Sequence, residues 1–198
     1  MTTIYLVRHG QYDSPAPVMP FRMPGFHLSE EGKMQAKKRA EFFLEKSVSA
    51  VFTSPMERTL ETATIIGNAL GLKPEMDDRL LEVRSPLQGM TKAAIEAIQI
   101  WDWSMYESSW YKERHGENIQ EISMRIQAVC EEKKIEFDGK TVVLVTHGDL
   151  VMLGAAVYSG MPLTPKVLNS LSYVPMAGGY GIEFREGNEA TVYPIVAS

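Results

Sequence analysis

Two uninterrupted apolar runs constrain this chain more than any other feature. Ile4-Tyr-Leu-Val7 and Thr141-Val-Val-Leu-Val-Thr146 lack the apolar–polar alternation of a half-exposed strand. Each therefore reads as a strand covered on both faces, the pattern of a parallel sheet between two helical layers. Both runs stop in the same way, at Arg8-His9-Gly10 and at His147-Gly148.

The segments between them supply the covering helices. Ser29 reads as an N-cap with Glu30 and Glu31 in the first turn, followed by an apolar stripe through Met34, Ala36, Ala40, Phe43 and Leu44. Ala50-Val-Phe-Thr53 reads as a strand, Ser54-Pro55 as a helix start and Gly71 as its stop. Leu80-Leu81 reads as a short strand, and 91–103 and 118–137 as helices. Leu150 to Tyr158 is helical, and alternation through 167–173, 180–185 and 190–196 predicts strands, antiparallel where turns join them. A Pro-rich loop holds Pro15, Pro17, Pro20 and Pro24. The expected fold class is α/β, a three-layer α/β/α sandwich with a mostly parallel central sheet over residues 1–198 as one domain.

Composition narrows the function. A chain of 198 residues with 44% hydrophobic content buries enough surface to dispense with staples. Cys130 is its only cysteine, which excludes an internal disulfide and a zinc-thiolate cluster and fits a cytoplasmic setting. A net charge of −5 argues against nucleic acid and anionic membranes as partners. No basic leader precedes the first apolar run, and the uncharged stretch 150–165 is broken by Gly154, Gly160 and Pro162.

Ligands of open α/β sheets bind beyond the carboxyl ends of the strands. His9 and His147 both fall there, and the adjacent Gly10 and Gly148 permit close approach. Arg58, one turn into the helix starting at Ser54-Pro55, leans back toward the same edge. Two arginines, two histidines and a helix N-terminus describe a phosphate pocket. Metal binding is the rival reading, but no HxH, HExxH or acidic ligand cluster accompanies the two strand ends, and no metal or other cofactor is expected. Arg114-His115-Gly116 repeats the first tripeptide after a polar, aromatic segment, where it reads as an ordinary turn.

The chain resembles the histidine phosphatase superfamily, which includes the cofactor-dependent phosphoglycerate mutases. The matching pieces run in order: Leu6-Val-Arg-His-Gly-Gln11, Leu28-Ser-Glu-Glu-Gly32 with Gln35-Ala36, Thr53-Ser-Pro-Met-Glu-Arg58 with Thr62-Ala63, Leu81-Glu82, Gly116-Glu117 with Arg125, and Val145-Thr-His-Gly148. The resemblance implies that His9 becomes a phosphohistidine, that Arg8, Arg58 and His147 hold the phosphoryl oxygens, and that Glu82 gives a proton to the leaving oxygen. Gly10, Gln11, Ser14, Arg22 and Gly148 are the expected substrate contacts. Pro15 stands where relatives often carry asparagine, and Val83 to Gly89 departs from the usual loop after the glutamate.

The implied activity is hydrolysis of a small-molecule phosphate ester. A 2,3-bisphosphoglycerate-dependent mutase and a non-catalytic phosphate-binding module are the alternatives. Against the mutase, Lys92 is the only base in 91–111, beside Glu96, Asp102 and Glu107. That stretch instead carries Trp101, Trp103, Tyr106, Trp110 and Tyr111, fit for a lid over an apolar leaving group, for helix packing or for a homodimer contact, to which Tyr173 to Tyr193 could add.

Overall fold

Alternate residues of the first strand serve different cores, which is why its apolar run is unbroken. In the computed structural model, which describes residues 1–99, 102–185 and 189–195, β1 spans Thr2–Arg8. Ile4 and Leu6 pack toward one helical layer, and Tyr5 and Val7 toward the other. The remaining elements are α1 (Glu30–Leu44), β2 (Val48–Thr53), α2 (Glu57–Leu70), β3 (Glu75–Met76), α3 (Lys92–Ala97), α4 (Ser109–Glu113), α5 (Ile119–Glu136), β4 (Thr141–Thr146), α6 (Gly148–Tyr158), α7 (Pro165–Leu168), β5 (Gly179–Phe184) and β6 (Ala190–Ile195).

The sheet runs β3-β2-β4-β1-β5-β6. The pairs β3·β2, β2·β4 and β4·β1 are parallel, while β1·β5 and β5·β6 are antiparallel. Ala40 and Phe43 of α1 and Ala63 and Ile66 of α2 cover one face, and Ile122, Ile126 and Leu153 of α5 and α6 lie in the core on the other. The α/β/α layering follows directly from strands that are apolar on both sides.

Parallel alignment of β1 with β4 places Arg8 opposite Thr146. His9 and His147, the next residues, therefore leave the sheet side by side. Backbone bonds fix this edge: His9 N donates to Thr146 O (3.1 Å), Arg8 N to Gly178 O (2.8 Å), and Ala177 N to His9 O (3.0 Å). The loop after His9 is clamped against α1. A Cβ on Gly32 would stand 1.9 Å from the Gln11 carbonyl oxygen, so only glycine allows this approach.

Several local expectations are corrected. Of the expected α1 stripe, Ala36, Ala40 and Phe43 are buried but Met34 and Leu44 are exposed, and Gly32 and Arg39 are buried in their place. Helix α2 starts after Met56 rather than at Pro55, because Ser54 is drawn inward to His147. Leu80 belongs to a 3-10 turn, Asp78–Leu80. The predicted 91–103 helix is only α3, capped by Thr91 and followed by a 3-10 turn at Trp103–Glu107. Residues 167–173 form the end of α7 and a turn, not a strand, since Thr164 caps the helix and Pro165 begins it. Trp101 and Val196 lie outside the described residues. The second Arg-His-Gly copy is a turn, with His115 at φ 57°.

Candidate active site

His9 is buried and hydrogen bonded through Nδ1 to the Gly10 carbonyl oxygen (2.8 Å). A carbonyl only accepts, so Nδ1 carries the proton and Nε2 keeps its lone pair. Arg58 Nε donates to that Nε2 at 3.3 Å. Burial first, and then the neighbouring His147, Arg58 and Arg8, hold the His9 pKa well below the ordinary imidazole value. His9 is therefore neutral at neutral pH, with an unprotonated Nε2 of the kind a nitrogen nucleophile needs.

Arg58 is 1% exposed yet carries a full charge in the middle of the site. Its Nη2 donates to Phe21 O (2.7 Å) and lies 3.6 Å from Glu82 Oε2. Arg8 donates Nη1 to Val174 O (2.7 Å) and packs over the Tyr173 ring. Among the described residues, the buried side-chain polar atoms without a partner are Arg8 Nε, Arg58 Nη1 and Glu57 Oε2. Two of these three belong to the arginines flanking His9, and unmet buried donors of this kind call for an oxyanion.

His147 is fully buried under the site. Its Nε2 meets Ser54 Oγ (3.0 Å), and its Nδ1 lies 3.2 Å from both Glu82 Oε2 and Arg58 Nη2. Nδ1 cannot donate to one and accept from the other. The two N–H groups of Arg58 Nη2 face acceptors in Phe21 O and Glu82, and an ionised carboxylate only accepts, so we place the proton on Nδ1, directed at Glu82. Burial outweighs the adjacent carboxylate and pushes the His147 pKa down to about 4, so the ring is neutral. Glu82 is held well below the usual carboxylate range by His147 and Arg58, which together overcome the opposing effect of its burial.

The donor atoms of His9, Glu82 and His147 lie within 4.8 Å of one another, a spacing that could hold a metal ion. Arg58, however, points Nε at His9 and Nη2 at Glu82. A guanidinium already supplies the positive charge there, so the donor set suits an anion better than a second cation.

A cavity of about 420 Å³ opens above these groups. Arg8, His9, Arg58, Glu82 and Gly148 line it, as do Trp103 and Tyr106 of the aromatic segment, though not Trp110 and Tyr111, while Tyr12, Asp149 and Tyr173 are additions. His147, fully buried beneath it, and Gly10, Gln11, Ser14 and Arg22 do not line it. Gly10 N donates to Thr62 Oγ1, Gln11 N to Gln35 Oε1, and the Ser14 hydroxyl to Ala16 O. Arg22 donates Nε to the Glu82 carbonyl oxygen (2.6 Å) and pairs with Glu117 (3.2 Å), so it braces the Glu82 loop. Asp149 could have been found from its place directly after His147-Gly148. Tyr173 could not, because its segment reads as a strand.

The profile of the histidine phosphatase superfamily (branch 1) matches residues 4–188. Phosphoserine phosphatase 1 of Hydrogenobacter thermophilus is 28% identical over 154 residues, 74% of this chain and 71% of that protein. A probable phosphoglycerate mutase, GpmB of Escherichia coli, is 28% identical over 174 residues, 82% of this chain and 77% of that one. Among solved structures, Bacillus stearothermophilus YhfR superposes with a TM-score of 0.84 at 25% identity, covering 98% of this chain and 96% of its own.

Proposed function

The chain belongs to the histidine phosphatase superfamily, and we propose that it is a phosphomonoesterase acting on a small-molecule phosphate ester through a phosphohistidine on His9, with no metal cofactor. The observation that carries this reading is the pair of unpartnered buried donors, Arg8 Nε and Arg58 Nη1, beside the Nε2 lone pair of a neutral His9.

In the proposed reaction the phosphoryl group sits between the two arginines, and His9 Nε2 attacks phosphorus in line with the ester oxygen. The N–P bond forms, the P–O bond breaks, and the leaving oxygen takes a proton from Glu82. The electrostatics of the site suggest how Glu82 acquires that proton. His147 and Arg58 keep it ionised. A phosphate dianion that draws those donors to its own oxygens leaves a buried carboxyl beside negative charge, which raises its pKa. Glu82 then accepts a proton from the water that cleaves the N–P bond, and phosphate leaves. The arginines carry the charge stabilisation that a metal supplies in many phosphoryl transferases.

Hydrolysis is favoured over the mutase alternative by the outer cavity wall. Among the described residues lining the cavity, Arg8 and Arg58 are the only lysine or arginine side chains, and the reading above gives both to the phosphoryl group. A bisphosphorylated ligand would find no second cation. No helix of the described residues is long and apolar enough to cross a membrane, which is compatible with the cytoplasmic setting we propose.

Rapid quench during turnover of p-nitrophenyl phosphate tests the reading. An acid-labile phosphoenzyme should form with the native chain and be absent in His9→Ala, and EDTA should leave turnover unchanged. Bisphosphoglycerate-dependent isomerisation of 3-phosphoglycerate with little phosphate release would assign the mutase activity instead. EDTA inhibition reversed by a divalent ion would restore the metal reading.

A further inference from the structure

The charge distribution within the cavity is lopsided. At its inner end stand Arg8, Arg58 and His9, the groups assigned to the phosphoryl oxygens. Beyond those groups, the described residues lining the cavity, which the alcohol of the ester must share, offer no further basic side chain and three carboxylates, Glu82, Asp102 and Asp149. Asp102 is committed to capping the 3-10 turn at Ser104. Asp149 sits in the first turn of α6, where its carboxylate is fixed from both sides. The Tyr173 hydroxyl donates to Oδ1 (2.7 Å) and the Tyr106 hydroxyl to Oδ2. Such bonds hold a carboxylate in one orientation without cancelling its charge. The rings of Tyr106, Tyr173 and Trp103 line the wall around it, with Trp103 and Tyr106 5.6 Å apart.

A carboxylate among aromatic side chains, in the same cavity as a phosphate-binding group, is an arrangement that receives an organic cation. Aromatic quadrupoles and the carboxylate both attract it, and both become stronger out of water. The same wall disfavours a leaving group bearing a carboxylate, which would meet Asp149 and Glu82 with no cation to receive it. Resting on the phosphatase reading above, we propose that the alcohol half of the substrate carries an ammonium group, so that the site selects amino-alcohol phosphates over neutral alkyl phosphates and over phosphorylated hydroxy acids, with Asp149 as the selecting residue.

Three esters of matched length test this: 2-aminoethyl phosphate, propyl phosphate and phosphoglycolate. The native chain should show kcat/KM highest for the aminoethyl ester, on the order of tenfold above propyl phosphate, with phosphoglycolate last. In Asp149→Asn the aminoethyl-to-propyl ratio should fall to within about threefold of unity. Calorimetric Kd values of the three esters for His9→Ala should rank in the same order and report selection without turnover. Phosphate release absent from every ester, p-nitrophenyl phosphate included, sinks the hydrolase reading alone, because the Kd ranking still decides selectivity. Propyl phosphate equal to or better than the aminoethyl ester, phosphoglycolate in first place, or an undiminished ratio in Asp149→Asn overturns this inference.

Discussion

Arg58 Nε points at the unprotonated Nε2 of His9 across 3.3 Å, a guanidinium aimed at the nucleophile of the proposed reaction. The contact is possible only while His9 is neutral, and the positive charge helps to keep it so. Histidine titration followed by NMR should therefore place the His9 midpoint well below 6.5. Removing the charge in Arg58→Gln should move it upward, because one of the forces depressing it is lost. A midpoint that stays put or falls in the variant would show that Arg58 does not act on His9 electrostatically.

Glu82 is assigned to the leaving oxygen, so its importance should scale with how much that oxygen needs a proton. In Glu82→Gln, hydrolysis of an alkyl phosphate should drop by about 10²–10⁴-fold. Hydrolysis of p-nitrophenyl phosphate, whose phenolate leaves readily without protonation, should suffer far less. A series of esters of graded leaving-group acidity measures this directly. Equal losses across the series would remove Glu82 from the acid role.

Glu117 links the arginines that hold the Glu82 loop. It accepts from Arg125 Nε (2.8 Å), Arg22 Nη2 (3.2 Å) and Arg84 N (2.9 Å). Arg125 in turn donates to the carbonyls of Arg79 (2.7 Å) and Leu81 (2.5 Å), and Arg22 to that of Glu82. Glu117 is thus a positioning residue at one remove from the chemistry. Glu117→Gln keeps the volume but weakens these charge-assisted bonds. We expect it to reproduce, in milder form, the leaving-group dependence of Glu82→Gln, with little change in KM. A uniform fall in rate for all esters would indicate general loosening of the fold instead.

Glycine at position 32 is fixed by the strand edge rather than by its helix. Since a Cβ there would stand 1.9 Å from the Gln11 carbonyl oxygen, and backbone cannot swing aside as a side chain can, Gly32→Ala must shift the loop after His9. Overpacking of this kind costs about 1–3 kcal/mol, and about 2–4 °C in Tm per kcal/mol at this chain length. Differential scanning calorimetry reads the loss. An unchanged Tm would mean that α1 and the loop separate freely.

Short-range patterns made much of this molecule legible in advance. Unbroken apolar runs told of a sheet covered on both faces, and Asn118 with Glu121 closes the capping box that starts α5 where the periodicity began. His9, Arg58, Glu82 and His147 converge because each lies at or just beyond an element end that the sequence marks. Long-range partnerships were opaque. Arg22 read as a substrate contact, yet its charge is taken by Glu117, 95 residues away. Tyr173 reached Asp149 because 167–173 turns where alternation suggested a strand. Met34 and Leu44 followed helical spacing but fell outside the stripe that α1 presents to the sheet.

Asp149 offers a test in which function and stability pull apart. Burial, with Glu82 nearby adding to it, raises its pKa to about 6 from an ordinary value near 3.8. Between those two values the folded chain binds more protons than the unfolded one, so stability falls as pH rises through this window. Above about pH 6 the full penalty of a buried charge is present, and at pH 4 most of it is gone. Asp149→Asn removes the titration, and its Tm relative to the native chain should therefore be higher at pH 7.5 than at pH 4. His9, His147 and Glu82, all depressed, lose stability as pH falls, but they do so in both proteins and, apart from the coupling of Glu82 to Asp149, cancel in the difference. A stabilised variant that no longer prefers the aminoethyl ester would show a carboxylate kept at the expense of stability for what it binds. A Tm difference that does not depend on pH would mean that Asp149 does not titrate in this window.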